Sequence, residues 1–272
     1  MTTAFDLSAL APRIEAIVRT AGLMALEHFR PGAPTGATVT HKPGGSPVTS
    51  ADLEIDAYLR EHLSKLAPEL GWLSEETADS AARLEREALF VVDPIDGTRG
   101  FADGDPCFAV CVAIVRRGRP VYGLVHAPAL NETFFAVAGQ GAFRNGRAIR
   151  VSRRAGLAGA KLAAPDSLAA DLRRSGLHFV SQPRLPSLAM RLLRVADGAL
   201  DGALARKHAY DWDIAAADLI LCEAGGALTD FTGRTPVYNR PEPRHPALAA
   251  GGVGLQAELV RAAREAAPNR SH

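Results

Sequence analysis

The sequence has few of the features that mark disulfide-rich or zinc-binding proteins. Its three cysteines include no Cys-x-x-Cys pair, and its eight histidines include no His-Glu-x-x-His pair. These absences argue against a disulfide framework and against the common zinc motifs. We therefore expect Cys107, Cys111 and Cys222 to be buried, reduced thiols.

Positive and negative charges nearly balance in the sequence, and no apolar run is long enough to cross a bilayer. Lysine and arginine together number 31, aspartate and glutamate 30, so the formal net charge is +1. A nearly neutral chain has no general electrostatic attraction for a nucleic acid polymer or an anionic membrane. The first six residues also lack a basic stretch followed by an apolar one, as a secretory signal would have. We expect a cytoplasmic protein whose partners include neither nucleic acid nor membrane.

The composition is that of a globular protein with a large core. The 272 residues are 47% hydrophobic and 22% charged, which suits one large domain or two joined lobes. Helical spacing of apolar residues predicts helices over residues 6–29 and 49–67, and the Gly- and Pro-rich residues 31–47 predict a loop or loose hairpin. Short strands are predicted at residues 71–76, 88–92, 107–115, 120–126, 133–137 and 147–151.

From residue 155 onward, strands and helices alternate. Strands are predicted at residues 160–164, 177–181, 200–205, 227–231 and 247–250, and helices at 166–175, 187–197, 211–224 and 253–266. The change of pattern predicts an α/β (α+β) fold in two parts. One is an N-terminal α+β lobe of residues 1–154 with mainly antiparallel strands, and the other is a C-terminal α/β lobe of residues 155–272.

The most informative stretch is Asp93-Pro94-Ile95-Asp96-Gly97-Thr98, directly after the apolar run 88–92. Pro94 has no amide hydrogen for a strand ladder, so we expect the strand to end there. Two carboxylates so close together repel one another unless a cation lies between them, and a divalent cation is the natural partner. Gly97 and Thr98 would then offer backbone amides and a hydroxyl to an anion held by that cation. The alternative is a simple turn, because aspartate, proline and glycine all favour turns.

Each of the other candidate acids has a structural explanation of its own. Asp52 follows Thr49 at the spacing of a helix capping box. Glu75 and Glu76 end a predicted strand, where paired glutamates are usually solvated. Asp213 falls in the first turn of a predicted helix, where the helix dipole alone favours a negative charge. Taken one at a time, these acids do not distinguish a functional site from local structure.

Together, these blocks resemble the inositol monophosphatase superfamily of magnesium-dependent, typically lithium-inhibited phosphatases. The matching blocks are Thr49–Asp52, Ser74-Glu75-Glu76, Asp93–Thr98, and Trp212-Asp213 followed by Gly225-Gly226. They occur in the family's order over nearly the whole chain, and the combination of Asp-Pro-Ile-Asp-Gly-Thr with Trp-Asp is the most specific part. The resemblance implies a layered α-β-α-β-α sandwich with the active site at the seam between two lobes.

The resemblance also implies roles for individual residues. Two or three Mg²⁺ ions would be held by Glu75, Asp93, the backbone carbonyl of Ile95, Asp96 and Asp213, with Asp93 bridging two of them. Asp52 and Thr98 would orient and deprotonate the attacking water. The substrate, a small phosphate ester, would contact Glu75, Asp96, Gly97, Thr98 and Asp213. An all-oxygen ligand set independently suits a hard cation such as Mg²⁺.

Within the superfamily, the segments His126–Glu132 and Tyr238–Pro241 resemble the 3'(2'),5'-bisphosphate nucleotidase branch. Inositol monophosphatases generally have a glutamate a few residues before Trp-Asp, whereas this chain has Arg206 and Lys207 there. Two cations suit the second phosphate of 3'-phosphoadenosine 5'-phosphate better than a neutral polyol. The alternatives are that both cations are surface charges, and that the substrate is inositol 1-phosphate or another sugar or polyol phosphate.

Two other interpretations compete with this one. Haloacid-dehalogenase-type phosphatases also carry two aspartates after a strand, but with one residue between them, and the first acts as nucleophile. Here Pro94 and Ile95 separate the two acids. A non-catalytic scaffold of the same fold would be expected to lack at least one ligand, and none is missing. The oligomeric state is open, and a homodimer is the state that the resemblance suggests.

Overall fold

The computed structural model describes residues 6–183 and 185–266. Residues 1–5, on which the expectation of no secretory signal partly rests, lie outside the described residues. In the described ranges the helices are α1 (Leu7–His28), α2 (Ser50–Leu66), α3 (Thr98–Ala102), α4 (Asp166–Arg174), α5 (Leu188–Ala196), α6 (Asp211–Glu223) and α7 (Val253–Ala266). None of these helices is both long and apolar enough to span a membrane.

The strands fall into a two-stranded hairpin and two larger sheets. The hairpin is formed by β1 (Val39–His41) and β2 (Pro47–Thr49). The next seven strands are β3 (Gly71–Ser74), β4 (Ala88–Asp96), β5 (Ala109–Arg116), β6 (Arg119–Ala127), β7 (Glu132–Val137), β8 (Ala142–Arg144) and β9 (Arg147–Ala148). The last five are β10 (Lys161–Ala163), β11 (Val180–Ser181), β12 (Gly202–Ala205), β13 (Gly226–Asp230) and β14 (Leu248–Gly252).

The larger sheet has the strand order β3-β4-β5-β6-β7-β8-β9. β3 and β4 run parallel, and each later neighbouring pair is antiparallel. Successive residues of β5 enter two different cores: Val110 and Val112 pack with α1 and α2, whereas Cys111 and Ala113 belong to the core on the opposite face. Because side chains alternate across a strand, the unbroken apolar run from Ala109 to Val115 requires a sheet that is covered on both faces.

The second sheet has the strand order β11-β10-β12-β14-β13, with β10 parallel to both of its neighbours and β14 antiparallel to both of its own. Helices α5 and α6 lie between the two sheets, since α6 contacts β5, β6 and β13 and α5 contacts β12 and β14. Helices α4 and α7 pack together on the outer face of the second sheet. The result is the layered α-β-α-β-α arrangement, so the predicted fold class is confirmed.

The division into lobes of residues 1–154 and 155–272 stays a prediction. The core between the sheets draws on both sides of that boundary, because Val91 of β4 and Ile214 of α6 belong to the same buried cluster. Any site at the seam is therefore held by a shared core rather than by two separate ones.

The contact between α6 and β6 is unusually close. A Cβ atom on Gly123 of β6 would lie 2.6 Å from the carbonyl oxygen of Ala216 in α6. Such a distance is too short for any side chain, so only glycine lets the helix backbone approach the sheet this far. This contact fixes the depth of α6, and with it the position of the helix's first turn.

One expectation about the central motif is wrong: β4 does not end at Pro94 but continues to Asp96. Its pairing with β5 shifts register between Asp93 and Asp96, so Pro94 lies in an irregular stretch of the strand. A bulge leaves a residue out of the ladder, and a proline there costs no hydrogen bond.

Two smaller expectations also need correction. The strand expected at residues 147–151 is only Arg147–Ala148 long, and it pairs across the Asn145-Gly146 turn with β8, which the sequence did not predict. All three cysteines are free, and Cys107 and Cys111 are buried as expected, but Cys222 is exposed. It lies near the end of α6, where its thiol donates to Oδ1 of Asp218 at 3.5 Å.

Candidate active site

Three carboxylates converge where β3, β4 and α6 meet. Glu75 directly follows β3, Asp93 lies within β4, and Asp213 is in the first turn of α6. One oxygen from each lies within 4.8 Å of the other two. In the described part of the chain, Oδ2 of Asp93 is buried without a hydrogen-bond partner, although its Oδ1 accepts the amide of Ile95 at 3.1 Å. A buried oxygen without a donor, beside two more carboxylates, is an incomplete arrangement that a cation would complete.

The electrostatics of these acids agree with a cation site. Burial raises the pKa of Asp93 well above its usual value, and the charges of Glu75 and Asp96 raise it further. Burial, followed by the charges of Asp96 and Glu75, likewise raises the pKa of Asp213, although a hydrogen bond from the Tyr210 amide acts in the opposite direction. Uncompensated negative charge is therefore costly here near neutral pH. The all-oxygen donor set fits a hard divalent cation such as Mg²⁺.

Asp96, the other predicted carboxylate ligand, is bound by the start of α5. Its Oδ2 accepts the hydroxyl of Ser187 and the amide of Ala189, the latter at 2.7 Å, and its Oδ1 accepts the amide of Leu188 at 3.2 Å. Burial raises the pKa of Asp96 to about 6 against these hydrogen bonds. Asp96 thus connects β4 to the helix between the sheets, and it lies outside the group of three acids described above. Its role as a metal ligand stays a prediction.

Asp52 and Thr98 lie in contact, as their predicted shared role requires. The hydroxyl of Thr98 is 3.0 Å from Oδ1 of Asp52 and 2.9 Å from the carbonyl oxygen of Ile95, and can donate to either. Oδ2 of Asp52 accepts the amide and the hydroxyl of Thr49, at 2.8 and 2.5 Å. The capping box is therefore real and occupies one oxygen of Asp52, which leaves the other for Thr98.

Gly97 shapes the turn that carries Thr98. Its φ angle is +94°, and a Cβ atom there would lie 3.1 Å from the amide nitrogen of Ser187 and 3.2 Å from the carbonyl oxygen of Cys107. The left-handed backbone and the crowding by two other segments both favour glycine. Gly97 therefore lets the chain turn sharply from β4 into α3 directly beside the acids.

Lys42 is a site residue that the sequence analysis missed. From the hairpin of β1 and β2, its Nζ donates to Oε1 of Glu75 and to Oε1 of Glu76, each at 2.8 Å. Burial raises the pKa of Glu76 to about 7, although the hydrogen bond from Lys42 acts to lower it. A single lysine in a loop rich in glycine and proline carries no local signal of this contact, because the partner glutamates are more than thirty residues away.

The predicted residues open into one cleft of about 480 Å³, which we call the acidic cleft. Its walls include Glu75, Asp93, Ile95, Asp96, Gly97, Thr98 and Asp213, together with Pro47, Arg99, Asp103 and Asp105. The structure thus brings the predicted metal ligands, and the residues predicted to contact the cleaved phosphate, to one place. Asp52 lies behind the wall, 1% exposed, and reaches the cleft through Thr98.

Arg206 and Lys207 are not among the residues that line the acidic cleft. They follow β12 on an exposed turn, and the Arg206 guanidinium donates to the hydroxyl of Ser167 at 3.2 Å. Their contact with a second phosphate stays a prediction.

In the segments His126–Glu132 and Tyr238–Pro241, which resemble the nucleotidase branch, the side chains form contacts within the fold. His126 is buried and hydrogen-bonded to Thr133 at 2.9 Å. Tyr238 donates its hydroxyl to Asp218 at 2.7 Å, inside the core. Glu132 forms ion pairs with two arginines, Arg144 and Arg194. None of these residues lines the acidic cleft, so their link to substrate choice is indirect at most.

Comparison with known proteins agrees with this geometry. The sequence pattern of the inositol monophosphatase family matches residues 6–267. The 3'(2'),5'-bisphosphate nucleotidase CysQ of Aggregatibacter actinomycetemcomitans is 31% identical over 230 residues, which is 79% of this chain and 84% of that protein. Inositol monophosphatase 2 of Solanum lycopersicum is 32% identical over 220 residues, which is 76% of this chain and 83% of that protein.

The fold comparison leads to the same family. A solved structure of an IMPase from Thermotoga maritima matches with a TM-score of 0.82 at 30% identity, over 96% of this chain and 98% of that one. A family pattern that spans nearly the whole sequence, relatives above 30% identity and a shared fold all point the same way. The chain belongs to the inositol monophosphatase family of phosphatases.

Proposed function

We propose that this phosphatase hydrolyses a small phosphate monoester with Mg²⁺ as its cofactor. The observation that carries the proposal is the convergence of Glu75, Asp93 and Asp213, with one buried oxygen of Asp93 that no described residue satisfies. When bound, Mg²⁺ would supply the positive charge that the scissile phosphate and the attacking water need. The residues that would hold it are Glu75, Asp93, the carbonyl of Ile95, Asp96 and Asp213.

The chain's own part in proton transfer is assigned to Thr98 and Asp52. The Thr98 hydroxyl reaches the cleft wall and is 3.0 Å from Oδ1 of Asp52. A water held against Thr98 can pass its proton to that hydroxyl while the hydroxyl donates its own proton to Asp52. Burial raises the pKa of Asp52, although hydrogen bonds from Thr49 and Thr98 act to lower it. A carboxylate with a raised pKa is a better proton acceptor near neutral pH.

For the substrate we propose the 3'-phosphate of 3'-phosphoadenosine 5'-phosphate. The name of the CysQ relative and the resemblance of two segments to the nucleotidase branch support this choice. A specific observation favours inositol 1-phosphate as the second candidate, because a relative named inositol monophosphatase 2 is similar to the same degree. The metal site itself does not select the leaving group, so the choice depends on peripheral contacts.

The test is phosphate release from a panel of substrates by the purified protein. We expect release that requires Mg²⁺ and leaves no trappable phosphoenzyme, since water rather than Asp93 attacks the phosphorus. A higher kcat/KM on 3'-phosphoadenosine 5'-phosphate than on inositol 1-phosphate supports the nucleotidase assignment, and the reverse order assigns the chain to the second candidate. Phosphate release in the presence of a metal chelator, or a covalent phosphoaspartate, would overturn the mechanism.

A further inference from the structure

Arg99 is the one basic residue among those that line the acidic cleft in the described part of the chain. It directly follows Thr98 in the five-residue helix α3, and its side chain is exposed whereas those of Thr98 and Phe101 are buried. From the sequence, Arg206 and Lys207 were the predicted substrate-binding cations and Arg99 was not, since arginine next to a motif is common on surfaces.

The guanidinium of Arg99 has no partner among the residues that the structure describes. Within residues 6–183 and 185–266, no hydrogen bond and no ion pair involves its side chain, although Asp103 lies four residues further along the chain. Arg206, by contrast, is hydrogen-bonded to Ser167. An unpaired guanidinium in a cleft that otherwise carries acids is available to an anion, and its planar set of donors matches two phosphate oxygens at once.

The backbone that carries Arg99 is held rigidly. Phe101 packs against Phe108 with ring centres 4.9 Å apart and against Phe29 at 6.2 Å. On the other side, a Cβ atom on Gly100 would lie 2.6 Å from the side chain of Pro186, so α3 is clamped between two elements. A fixed attachment point lowers the entropy cost of binding through the side chain that it carries.

The Arg99 side chain leaves α3 in a different direction from that of Thr98, because neighbouring residues of a helix do not share a face, and Thr98 is buried against Asp52 whereas Arg99 is exposed. The cleaved phosphate belongs beside Glu75, Asp93 and Asp213, where the cations would bind. Asp103 and Asp105, which follow α3 along the chain, line the same cleft as Arg99. These two carboxylates repel an anion from their part of the cleft wall, and they can accept sugar hydroxyl groups.

We infer that Arg99 binds the phosphate of the substrate that is not hydrolysed, and so selects bisphosphates over monophosphates. The inference rests on the proposed function, since it needs a substrate with two phosphates. Because the contact is made to a part of the substrate that does not react, its loss should raise KM more than it lowers kcat.

The experiment compares kcat and KM on 3'-phosphoadenosine 5'-phosphate and on 3'-adenosine monophosphate, which lacks the second phosphate. For Arg99→Ala we expect kcat/KM to fall at least tenfold on the bisphosphate, mainly through KM, and much less on the monophosphate. The kcat/KM of Arg99→Lys on the bisphosphate should lie between those of the wild type and Arg99→Ala, because lysine keeps the positive charge but not the planar set of donors. Arg13→Ala, which removes an exposed arginine of α1 away from the cleft, should leave both activities unchanged.

An equal loss on both substrates, or wild-type kinetics of Arg99→Ala on the bisphosphate, would overturn the inference. So would a bisphosphate-specific loss in the Arg206→Ala/Lys207→Ala double variant without one in Arg99→Ala. The wild-type protein reports separately on the proposed function: if it hydrolyses inositol 1-phosphate and not the bisphosphate, the proposed substrate fails, and the inference about Arg99 fails with it.

Discussion

At the scale of single residues, the acids predicted to form the site also hold the first turns of helices. Asp52 completes the capping box of α2 and accepts the Thr98 hydroxyl, and Asp213 accepts the Tyr210 amide at the start of α6 at 2.6 Å. Asp96 accepts two amides of α5. A contact that holds a helix start therefore does not exclude a catalytic or metal-binding role for the same residue. A helix start that is held by the site's own carboxylate also positions that carboxylate.

The first prediction at this scale concerns Thr98. Thr98→Ala removes the hydroxyl that links the cleft to Asp52, so kcat should fall by about 10²–10⁴. Thr98→Ser keeps a hydroxyl and should retain most of the activity. Because the Thr98 side chain is not a predicted metal ligand, the affinity for Mg²⁺, measured by titration calorimetry, should hardly change. A large loss of Mg²⁺ binding in Thr98→Ala contradicts the proton-transfer role.

At the scale of secondary-structure elements, α6 decides whether Asp213 reaches the other acids. Gly123→Ala would place a methyl group 2.6 Å from the carbonyl oxygen of Ala216 and force α6 away from β6. Overpacking of this kind costs about 1–3 kcal/mol of stability, and the displaced helix should also bind Mg²⁺ more weakly. Urea denaturation and calorimetry measure the two effects.

Gly156→Ala is the matched control for this variant. A Cβ atom on Gly156 has only one neighbour within 4 Å, the carboxylate of Glu258 at 4.0 Å. We expect a stability change within about 0.5 kcal/mol and unchanged Mg²⁺ affinity. If Gly123→Ala behaves like this control, the close contact between α6 and β6 does not position the site.

The elements themselves were largely predictable from the sequence, and their contacts were not. Apolar periodicity located α1, α2, β5 and α6 to within a few residues, since that pattern is local. The course of β4 through Pro94 was mispredicted, because a bulge depends on the partner strand rather than on the proline.

The same limit applies inside the site. The Asp93–Thr98 motif and the family resemblance predicted acids that the structure brings together in the acidic cleft, and their roles as metal and phosphate ligands stay predictions. Lys42 was missed because nothing in its neighbours along the chain shows that a hairpin folds over Glu75. Arg99 directly follows the predicted phosphate residues Gly97 and Thr98, but the sequence does not show that its side chain faces the cleft. Lysine and arginine are common on surfaces, so only the three-dimensional structure separates these two from the others.

At the scale of the whole molecule, the free energy of unfolding should depend on pH and on Mg²⁺, because the acids of the site are buried. The pKa values of Asp93 and Asp213 are raised by burial, and that of Asp96 is raised to about 6. Such groups stabilise the protein fully below their unfolded pKa of about 4, and this contribution is lost as the pH rises through the folded pKa. The metal-free protein should therefore lose stability as the pH rises above about 4, and for Asp96 this loss occurs as the pH passes through about 6.

Mg²⁺ should reverse that loss, because it neutralises the charges that appear as the acids ionise. The rise in Tm on adding Mg²⁺ is expected to be larger at pH 7.5 than at pH 5, and much smaller in Asp213→Asn. Asp218, whose pKa burial also raises to about 6, lies in the core against Tyr238 and should titrate the same way with or without metal. A rise in Tm that does not depend on pH contradicts a site made of these carboxylates.

If Glu75, Asp93 and Asp213 together hold the catalytic cations, the variant Asp93→Asn should lose both Mg²⁺ binding and turnover. The change keeps the side chain's shape and removes one of several crowded negative charges, so the metal-free variant should be as stable as the wild type or slightly more so. Mg²⁺ titration calorimetry combined with turnover at saturating Mg²⁺ is the measurement. We expect a folded variant with weakened Mg²⁺ binding and turnover well below a tenth of wild type. A variant that keeps more than about a tenth of the activity, a barrier difference of only about 1.4 kcal/mol, contradicts this role of the three acids.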